Sequence, residues 1–327
     1  MIISRTPLRL PLGGGGTDLP SYYREHGGFL VSAAINKYVD IAVNDRFEDS
    51  IRVSYSQTEI VASAEEVRHP IVRQALRLAG IDRGIEIVSI ADVPSNTGLG
   101  TSSSFTVGLL NALYARQRKD ISRQELAELA CHLEMDLLGE PIGKQDQYLA
   151  AYGGVTCLEF SRSGEVTVSR LRLSHDAADQ LESNLLMFYT GIRRSASEIL
   201  QAQNAATQRQ EKPVLSSLHR IKEIGYAIRD CLVQGEVDRF GELMHEHWLA
   251  KRQLSTRISD PQIDAWYDLA RRHGALGGKL VGAGGGGFLV FYCGSNKRAL
   301  RDAMHAAGLP EMRFRVDPEG SKILVNV

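Results

Sequence analysis

The chain has 327 residues, of which 43% are hydrophobic and 24% are charged, and its formal net charge is −1. This length provides for one large domain or two ordinary ones with a substantial core, and the composition is typical of globular rather than disordered proteins. Basic and acidic residues are interspersed, so the charge pattern favours neither nucleic acid nor an anionic membrane as a partner. We expect partners that are small molecules.

The sequence also bears on the compartment. The beginning of the chain lacks a basic start followed by a long apolar run, and no segment approaches membrane-spanning length. Its cysteines are scattered without a CxxC pair, which disfavours a zinc site or a disulfide framework; they are Cys131, Cys157, Cys231 and Cys293. We therefore expect a cytoplasmic protein in which the cysteines are small buried residues.

Alternating runs dominate the first ninety residues and predict an antiparallel sheet: YVDIAVNDRF, IRVSYS and IEIVSIA. Helices follow, in FTVGLLNALYARQ and in SRQELAELACHLEMDLLG. In the second of these, Ser122 and Glu125 form a capping-box pattern. Its predicted apolar face consists of Leu126, Leu129, Leu133 and Leu137.

The second half of the chain is richer in helical patterns. After the strand-like GGVTCLEF and VTVSRLRL, the run NLLMFYTG leads into long helices. We place a domain boundary at about residue 180, which gives domains 1–180 and 181–327. The end is predicted as a small α+β layer with a strand (GFLVFYC), a helix (KRALRDAMHAAG) and two further strands (MRFRV and KILVNV).

The stretch DVPSNTGLGTSSS, residues 92–104, joins a predicted strand to a predicted helix. A helix N-terminus presents free N–H groups and partial positive charge, and glycines before it let a polyanion approach the backbone. The four hydroxyls of residues 101–104 can donate to phosphate, ligate Mg²⁺ or simply cap the helix. From these residues alone, phosphate binding and helix capping both stay open.

Two familiar nucleotide signatures do not account for the chain. GEPIGKQ and GALGGKL have three residues where a P-loop has four, and each ends in the wrong residue. GAGGGG, residues 282–287, satisfies GxGxxG, but a strand pattern comes after it where a dinucleotide fold needs a helix. A dinucleotide-dependent oxidoreductase is therefore disfavoured.

Three glycine-rich stretches occur in one order: PLRLPLGGGGTD, residues 7–18; PSNTGLGTSSS, residues 94–104; and KLVGAGGGGF, residues 279–288. We refer to them as motifs 1, 2 and 3. Together they resemble the GHMP kinase superfamily over almost the whole chain. The resemblance implies an α+β protein of two domains with the active site between them. The N-terminal mixed α/β domain would bind ATP through a phosphate loop unlike the P-loop, and the C-terminal domain would be ferredoxin-like.

The resemblance assigns ATP binding to motif 2, namely Pro94, Gly98, Leu99, Gly100, Thr101, Ser102, Ser103 and Ser104. It assigns Mg²⁺ to Ser102 and Glu134. Read by itself, Glu134 lies at the edge of a buried stripe beside Ala127 and Ala130, where a solvated glutamate is the simpler interpretation. Asp136 is expected to face solvent.

Catalytic roles also follow from the resemblance. Asp146 matches the galactokinase and mevalonate kinase aspartate that accepts the proton of the substrate hydroxyl, although from sequence alone it could cap a short helix. Arg9 matches the galactokinase arginine of motif 1, and a cation beside a carboxylate favours the ionised form. Lys144 is the other cation near Asp146 in sequence, and for both Arg9 and Lys144 an ordinary surface cation is the alternative. Asp18 matches the carboxylate that binds sugar hydroxyls, and helix capping is its alternative.

The substrate is the least determined part. Gly15 and Gly16 stand where galactokinases carry Glu and His, which implies extra room, and the motifs look most like the branch that phosphorylates D-glycero-D-manno-heptose 7-phosphate at its anomeric carbon. Cations for a substrate phosphate could come from Arg193 and Arg194 or from Lys251 and Arg252, with a solvated basic patch as the alternative. The remaining predicted substrate contacts are Thr17, Asp18, Gly284 and Gly285.

The expected function is thus an ATP- and Mg²⁺-dependent kinase of a sugar phosphate, with no nucleic-acid or membrane partner. The sequence leaves open whether the protein forms a homodimer. Two rivals are a kinase of a fucose- or galactose-like sugar and a catalytically silent sugar sensor on the same fold. The intact set of Ser102, Glu134 and Asp146 disfavours the sensor.

Overall fold

The computed structural model describes residues 1–193 and 196–327. Its larger sheet has the order β11-β1-β2-β5-β3-β4, with β6 also paired to β2 and β7 to β6. The strands of this sheet are β1 (Ile2–Gly13), β2 (Gly28–Asp45), β3 (Ile51–Ser54), β4 (Thr58–Val61), β5 (Ile85–Ala91), β6 (Val155–Phe160), β7 (Val166–Arg170) and β11 (Lys322–Asn326). Its pairs are antiparallel as predicted, except that β3 and β5 are parallel.

A smaller antiparallel sheet has the order β8-β10-β9, from β8 (Leu185–Tyr189), β9 (Gly277–Leu280) and β10 (Phe288–Tyr292). The change of sheet falls between β7 and β8. The domain boundary near residue 180 stays a prediction. The four cysteines are buried, as expected.

Helices cover both sheets, and the α+β class is confirmed. The helices are α1 (Pro20–His26), α2 (Pro70–Ala79), α3 (Thr101–Arg116), α4 (Arg123–Cys131), α5 (Gln145–Tyr152), α6 (His175–Asn184), α7 (Ala196–Gln208), α8 (Lys212–Gln234), α9 (Val237–Arg252), α10 (Pro261–Arg272) and α11 (Lys297–Ala306). In the part of the chain that the structure describes, none of them combines the length and apolar character needed to cross a membrane.

Helix α3 is the central helix of the larger half. It packs on β1 and β2 on one side and contacts α2, α4 and α5 on others, so its side chains are buried around most of its circumference, for example Leu109 and Leu110. Burial of each such leucine contributes about 1.5–3 kcal/mol. Gly108, which weakens the helix prediction, permits the contact with β1, since a Cβ there would lie 2.7 Å from Thr6 Oγ1. The middle of α3 therefore packs closely against β1.

The helix that carries Glu134 departs from its predicted geometry. The capping box of Ser122 and Glu125 is present, but the α-helix ends at Cys131 and continues as a π turn, His132–Leu137. A π turn holds more residues than an α turn, so it changes the direction in which the later side chains point. The prediction for Leu137 is consequently wrong, because its side chain is 41% exposed, whereas Glu134 is buried inside the turn.

The end of the chain also differs from the prediction. Instead of a strand at MRFRV, residues 310–317 form a bridging segment, which hydrogen-bonds to Met187 and Tyr189 in β8 and to Ala34 and Asn36 in β2. The last strand, β11, pairs with β1 in the larger sheet rather than with the smaller sheet. The local strand pattern of this region could not reveal that its backbone groups are shared between two sheets.

Candidate active site

The three glycine-rich motifs meet around one cleft of about 310 Å³. The backbones of motifs 2 and 3 touch, because a Cβ on Gly282 would lie 2.5 Å from Gly98 Cα. Motif 1 joins them through the Arg9 N–H, which donates to Leu99 O at 3.1 Å. A neighbouring cavity of about 480 Å³ contains no residue of the three motifs. The smaller cleft is therefore the candidate site.

Motif 2 forms the uncapped start of α3. Gly100 precedes the helix with φ at 77°, and no side chain caps its N–H groups. The helix-capping alternative is therefore wrong. The Ser104 hydroxyl, for example, donates to Pro7 O at 2.8 Å instead of capping the helix. Thr101, which lines the cleft, has a buried hydroxyl oxygen without a hydrogen-bond partner. Free N–H groups and an unpartnered hydroxyl suit a bound phosphate.

Glu134 is a buried carboxylate, 2% exposed, at the floor of the cleft. It accepts hydrogen bonds from Ser102 Oγ (3.3 Å), Ser103 Oγ (2.8 Å), Thr106 Oγ1 (3.0 Å) and Gln147 Nε2 (2.5 Å). Burial raises the pKa of Glu134 to about 7, although the hydrogen bonds from Ser103, Gln147 and Thr106 act in the opposite direction. Within residues 1–193 and 196–327 no cation forms an ion pair with it, so a hard divalent cation beside the hydroxyls would suit the carboxylate.

Asp146 and Arg9 form a bidentate ion pair at the cleft. Arg9 Nε and Nη2 each donate to one carboxylate oxygen of Asp146 at 2.7 Å, and Nη1 donates to Gly98 O. Arg9 is buried in β1, whereas the Asp146 side chain, in the first turn of α5, is 25% exposed. Lys144 turns elsewhere and donates to Gly164 O at 2.6 Å. The pair fixes the carboxylate in position, since both oxygens are held by one planar group.

Asp18 lies in the same cleft. Its oxygens accept the N–H groups of Gly16 at 3.0 Å and Gln145 at 3.2 Å. Burial and the charge of Asp146 raise the pKa of Asp18. The helix-capping alternative is wrong, because α1 begins after Leu19 without a side-chain cap.

Several predicted site residues do not line the cleft: Pro94, Leu99 and Ser104 of motif 2, Thr17 of motif 1, and Gly284 and Gly285 of motif 3. Leu99 is in the core, and the Thr17 hydroxyl donates to Phe29 O at 2.9 Å. Gly285 N donates to Ile258 O at 2.9 Å. These residues shape the motifs, whereas Gly98, Gly100, Thr101, Ser102 and Ser103, with Gly15 and Gly16, form the surface of the cleft.

The cationic candidates separate clearly. Arg193 is exposed, does not line the cleft and donates to Tyr189 Oη at 3.4 Å, and Arg194 lies outside the described residues. Arg252 pairs with Asp264 at 2.7 Å. Lys251, by contrast, lines the cleft. The spacing of Arg193 in sequence gave no indication that its side chain turns toward β8.

Sequence reasoning missed two basic residues and one amide of the cleft region. Lys279 begins motif 3 and is 2% exposed, and His247 is 1% exposed; both line the cleft. Gln147 supports Glu134 from α5. The position of Lys279 next to the glycines was an available signal, whereas His247 had none, because only the folded α9 brings it to motif 3.

Comparison with known proteins agrees with this geometry. The family model described as GHMP kinases N terminal domain matches residues 64–154, and the one described as GHMP kinases C terminal matches residues 228–309. Together they cover more than half of the chain.

Individual relatives cover nearly all of it. A D-glycero-alpha-D-manno-heptose 7-phosphate kinase of Campylobacter jejuni is 28% identical over 91% of each chain. A bifunctional fucokinase/GDP-fucose pyrophosphorylase of Arabidopsis thaliana is 27% identical over 90% of this chain and 30% of its own. The crystal structure of a D-glycero-D-manno-heptose 1-phosphate kinase from Bacteroides thetaiotaomicron superposes over 100% of both chains with a TM-score of 0.83 and 25% identity. The chain belongs to the GHMP kinase family and is a phosphotransferase.

Proposed function

We propose that the protein is an ATP-dependent sugar kinase that phosphorylates the anomeric hydroxyl of D-glycero-D-manno-heptose 7-phosphate to give the 1,7-bisphosphate. The observation that carries the proposal is the Arg9–Asp146 pair, which sets a carboxylate beside the uncapped start of α3 in one cleft. The names of the Campylobacter and Bacteroides relatives support a heptose phosphate as the sugar class.

Asp146 is the group that accepts the proton of the sugar hydroxyl. The hydroxyl oxygen then bonds to the terminal phosphorus of ATP as the bond from that phosphorus to ADP breaks. A carboxylate has about four lone-pair sites, so the two bonds from Arg9 leave capacity for the proton. The nucleotide phosphates would lie on the backbone N–H groups at the start of α3, and positioning with charge neutralisation would provide most of the rate.

Ser102 and Glu134 would hold Mg²⁺, which when bound supplies neutralisation of phosphate charge. The described chain offers no group of three or more His, Cys, Asp or Glu side chains that could hold a metal ion. A site with only Ser102 and Glu134 as protein ligands fits Mg²⁺, because Mg²⁺ is usually bound by one or two protein ligands together with substrate phosphates and water.

The acceptor would occupy the side of the cleft formed by motif 1. Asp18 offers lone pairs beyond those that take the two backbone N–H groups, and it would receive sugar hydroxyls. Gly15 and Gly16 contribute no side chains there. This space favours an acceptor longer than a hexose.

A kinase of another sugar is the second candidate, and the fucokinase relative favours it. An ADP-release assay with heptose 7-phosphate, fucose, galactose and mevalonate tests the choice. We expect the largest kcat/KM with heptose 7-phosphate. A larger value with fucose or galactose would remove the heptose assignment, and ADP release with none of the sugars would favour the silent sensor.

A further inference from the structure

A basic cluster formed by Lys251, Lys279 and His247 lies in the cleft, and the proposed mechanism leaves it unused. Lys279 Nζ donates to Leu12 O at 3.1 Å, and Lys251 Nζ donates to Leu280 O at 3.1 Å and to Gly282 O. Across the described part of the chain, no carboxylate forms an ion pair with either ammonium group. Within the described chain, the hydrogen-bond partners of both ammonium groups are thus backbone carbonyls.

His247 completes the cluster. It precedes Lys251 by one turn of α9, so the two side chains share a face of the helix. The ring is 1% exposed, and neither of its nitrogens has a hydrogen-bond partner. Buried polar nitrogens almost always have partners in folded proteins, so two unpartnered ones in the wall of a cleft indicate a missing ligand.

The charged groups that shift the pKa values of the cluster are cations, and the carboxylate nearest to Arg9 is already paired with it. Burial, with Lys251 and Arg9 nearby, lowers the pKa of Lys279 well below its ordinary value. Burial and Arg9 lower the pKa of Lys251 to about 7, and burial with both lysines lowers that of His247. Bringing cations together without a counter-charge is unfavourable, and an anion in their midst would remove the penalty.

The geometry points to a phosphate subsite at Lys251, Lys279 and His247, separate from the start of α3. Two phosphates could occupy it: the phosphate that the acceptor already carries, or the terminal phosphate of the nucleotide. The first source rests on the proposed function. The location suits either phosphate. Lys251 donates to Gly282, Gly282 packs against Gly98, and Gly98 O accepts a hydrogen bond from Arg9, so the cluster lies close to the Arg9–Asp146 pair.

Binding of inorganic phosphate tests the subsite directly. Calorimetry with saturating ADP fills the nucleotide positions on α3, and Lys279→Met and Lys251→Met should then weaken phosphate binding about ten- to a hundredfold, the effect of a lost charge-assisted hydrogen bond. Lys222→Met is the matched control, because Lys222 also donates to two backbone carbonyls, of His26 and Gly27, but does not line the cleft. Equal phosphate affinity in wild type and both cluster variants overturns the subsite.

Steady-state kinetics distinguish the two sources. If the acceptor phosphate binds there, the variants raise KM for heptose 7-phosphate about ten- to a hundredfold and leave KM for ATP unchanged. If the nucleotide phosphate binds there, kcat/KM for ATP falls by a similar factor with any acceptor. If the lysines only fasten motif 3, Lys279 to motif 1 and Lys251 to α9, their loss would change neither phosphate affinity nor the ratio of the two KM values. That result would refute the subsite.

The two proposals fail separately. Absence of heptose 7-phosphate turnover, with phosphate affinity still lost in the lysine variants, contradicts the proposed function and supports the subsite. Because Lys279 is the more buried residue, Lys251→Met and His247→Phe provide the same comparison if Lys279→Met does not fold.

Discussion

Two carboxylates in one cleft, Asp146 and Glu134, have opposite surroundings. Asp146 is partly exposed and held by the guanidinium of Arg9, so its charge is balanced within the protein. Glu134 is buried among three hydroxyls and an amide, and burial raises its pKa to about 7. Two carboxylates are therefore suited to two tasks: Asp146 is paired with a cation and reachable, whereas Glu134 lacks a cation that a ligand can supply.

The largest expected effect is on turnover at the balanced carboxylate. Asp146→Asn removes the proton acceptor at nearly constant shape, so kcat should fall by about two orders of magnitude or more while ATP still binds. Stopped-time ADP assays and nucleotide calorimetry measure the two quantities. Asp136→Asn is the control, because Asp136 is an exposed side chain paired with His132. Near-normal kcat in the Asp146 variant would refute its role.

At the unbalanced carboxylate, we expect an effect on the metal requirement. Glu134→Gln offers a neutral oxygen, which is a poorer ligand for a hard cation, so the Mg²⁺ concentration for half-maximal rate should rise about tenfold. The side chain remains accommodated, because the Ser102 and Thr106 hydroxyls can accept as well as donate. A Mg²⁺ titration identical to that of wild type would return Glu134 to a structural role.

Stability should sharpen the contrast further. Without metal or nucleotide at pH 8, Asp146→Asn leaves the buried Arg9 without its counter-charge and should lower the free energy of unfolding by about 1–3 kcal/mol. Glu134→Gln removes an unfavourable buried charge and should cost less, or stabilise. Urea denaturation of both variants provides the comparison. Equal losses would show that the two surroundings do not differ energetically.

The smallest expected effect is on the pH dependence of stability at Lys251. Like Glu134, Lys251 has no ion-pair partner in the described part of the chain, but its charge is positive. The pKa of Lys251 is about 7 in the folded protein and near 10.5 when unfolded. Between these values the unfolded chain binds more protons, so stability rises with pH above 7. In phosphate-free buffer, wild type should gain on the order of 1 kcal/mol relative to Lys251→Met between pH 8 and 9. A difference that stays constant or falls would contradict the lowered pKa.

Periodicity predicted most of the strands and the second motif's helix, but not contacts between distant segments. Strand β1 was not predicted, because Pro7 and Pro11 lie within it, and the structure accommodates them at shifts of register against β2. The π turn was invisible too, since it alters hydrogen-bonding without altering the apolar pattern before Leu137.

For the cleft, the sequence predicted charged residues that lie in or near the motifs. It did not predict residues that reach the cleft only through packing of distant segments. Arg9, Glu134 and Asp146 all lie there, although their roles remain proposals. For Arg193 the sequence offers only its positive charge as a signal, and its side chain lies elsewhere. His247 and Lys279 meet because α9 packs on β9, a contact between segments about thirty residues apart that no local pattern encodes.

The bridging segment, residues 310–317, limits how the two halves can move. It hydrogen-bonds to β8 in one sheet and to β2 in the other, and Asp317 O also accepts from Gly154, just after the helix that bears Asp146. Swinging motif 3 away from motif 2 as a rigid unit would break these bonds along with the contact of Gly98 and Gly282. Substrate entry is therefore expected to proceed by local movement of loops, and the amides of Met312 and Asp317 should exchange with solvent deuterium as slowly as those of the central strands.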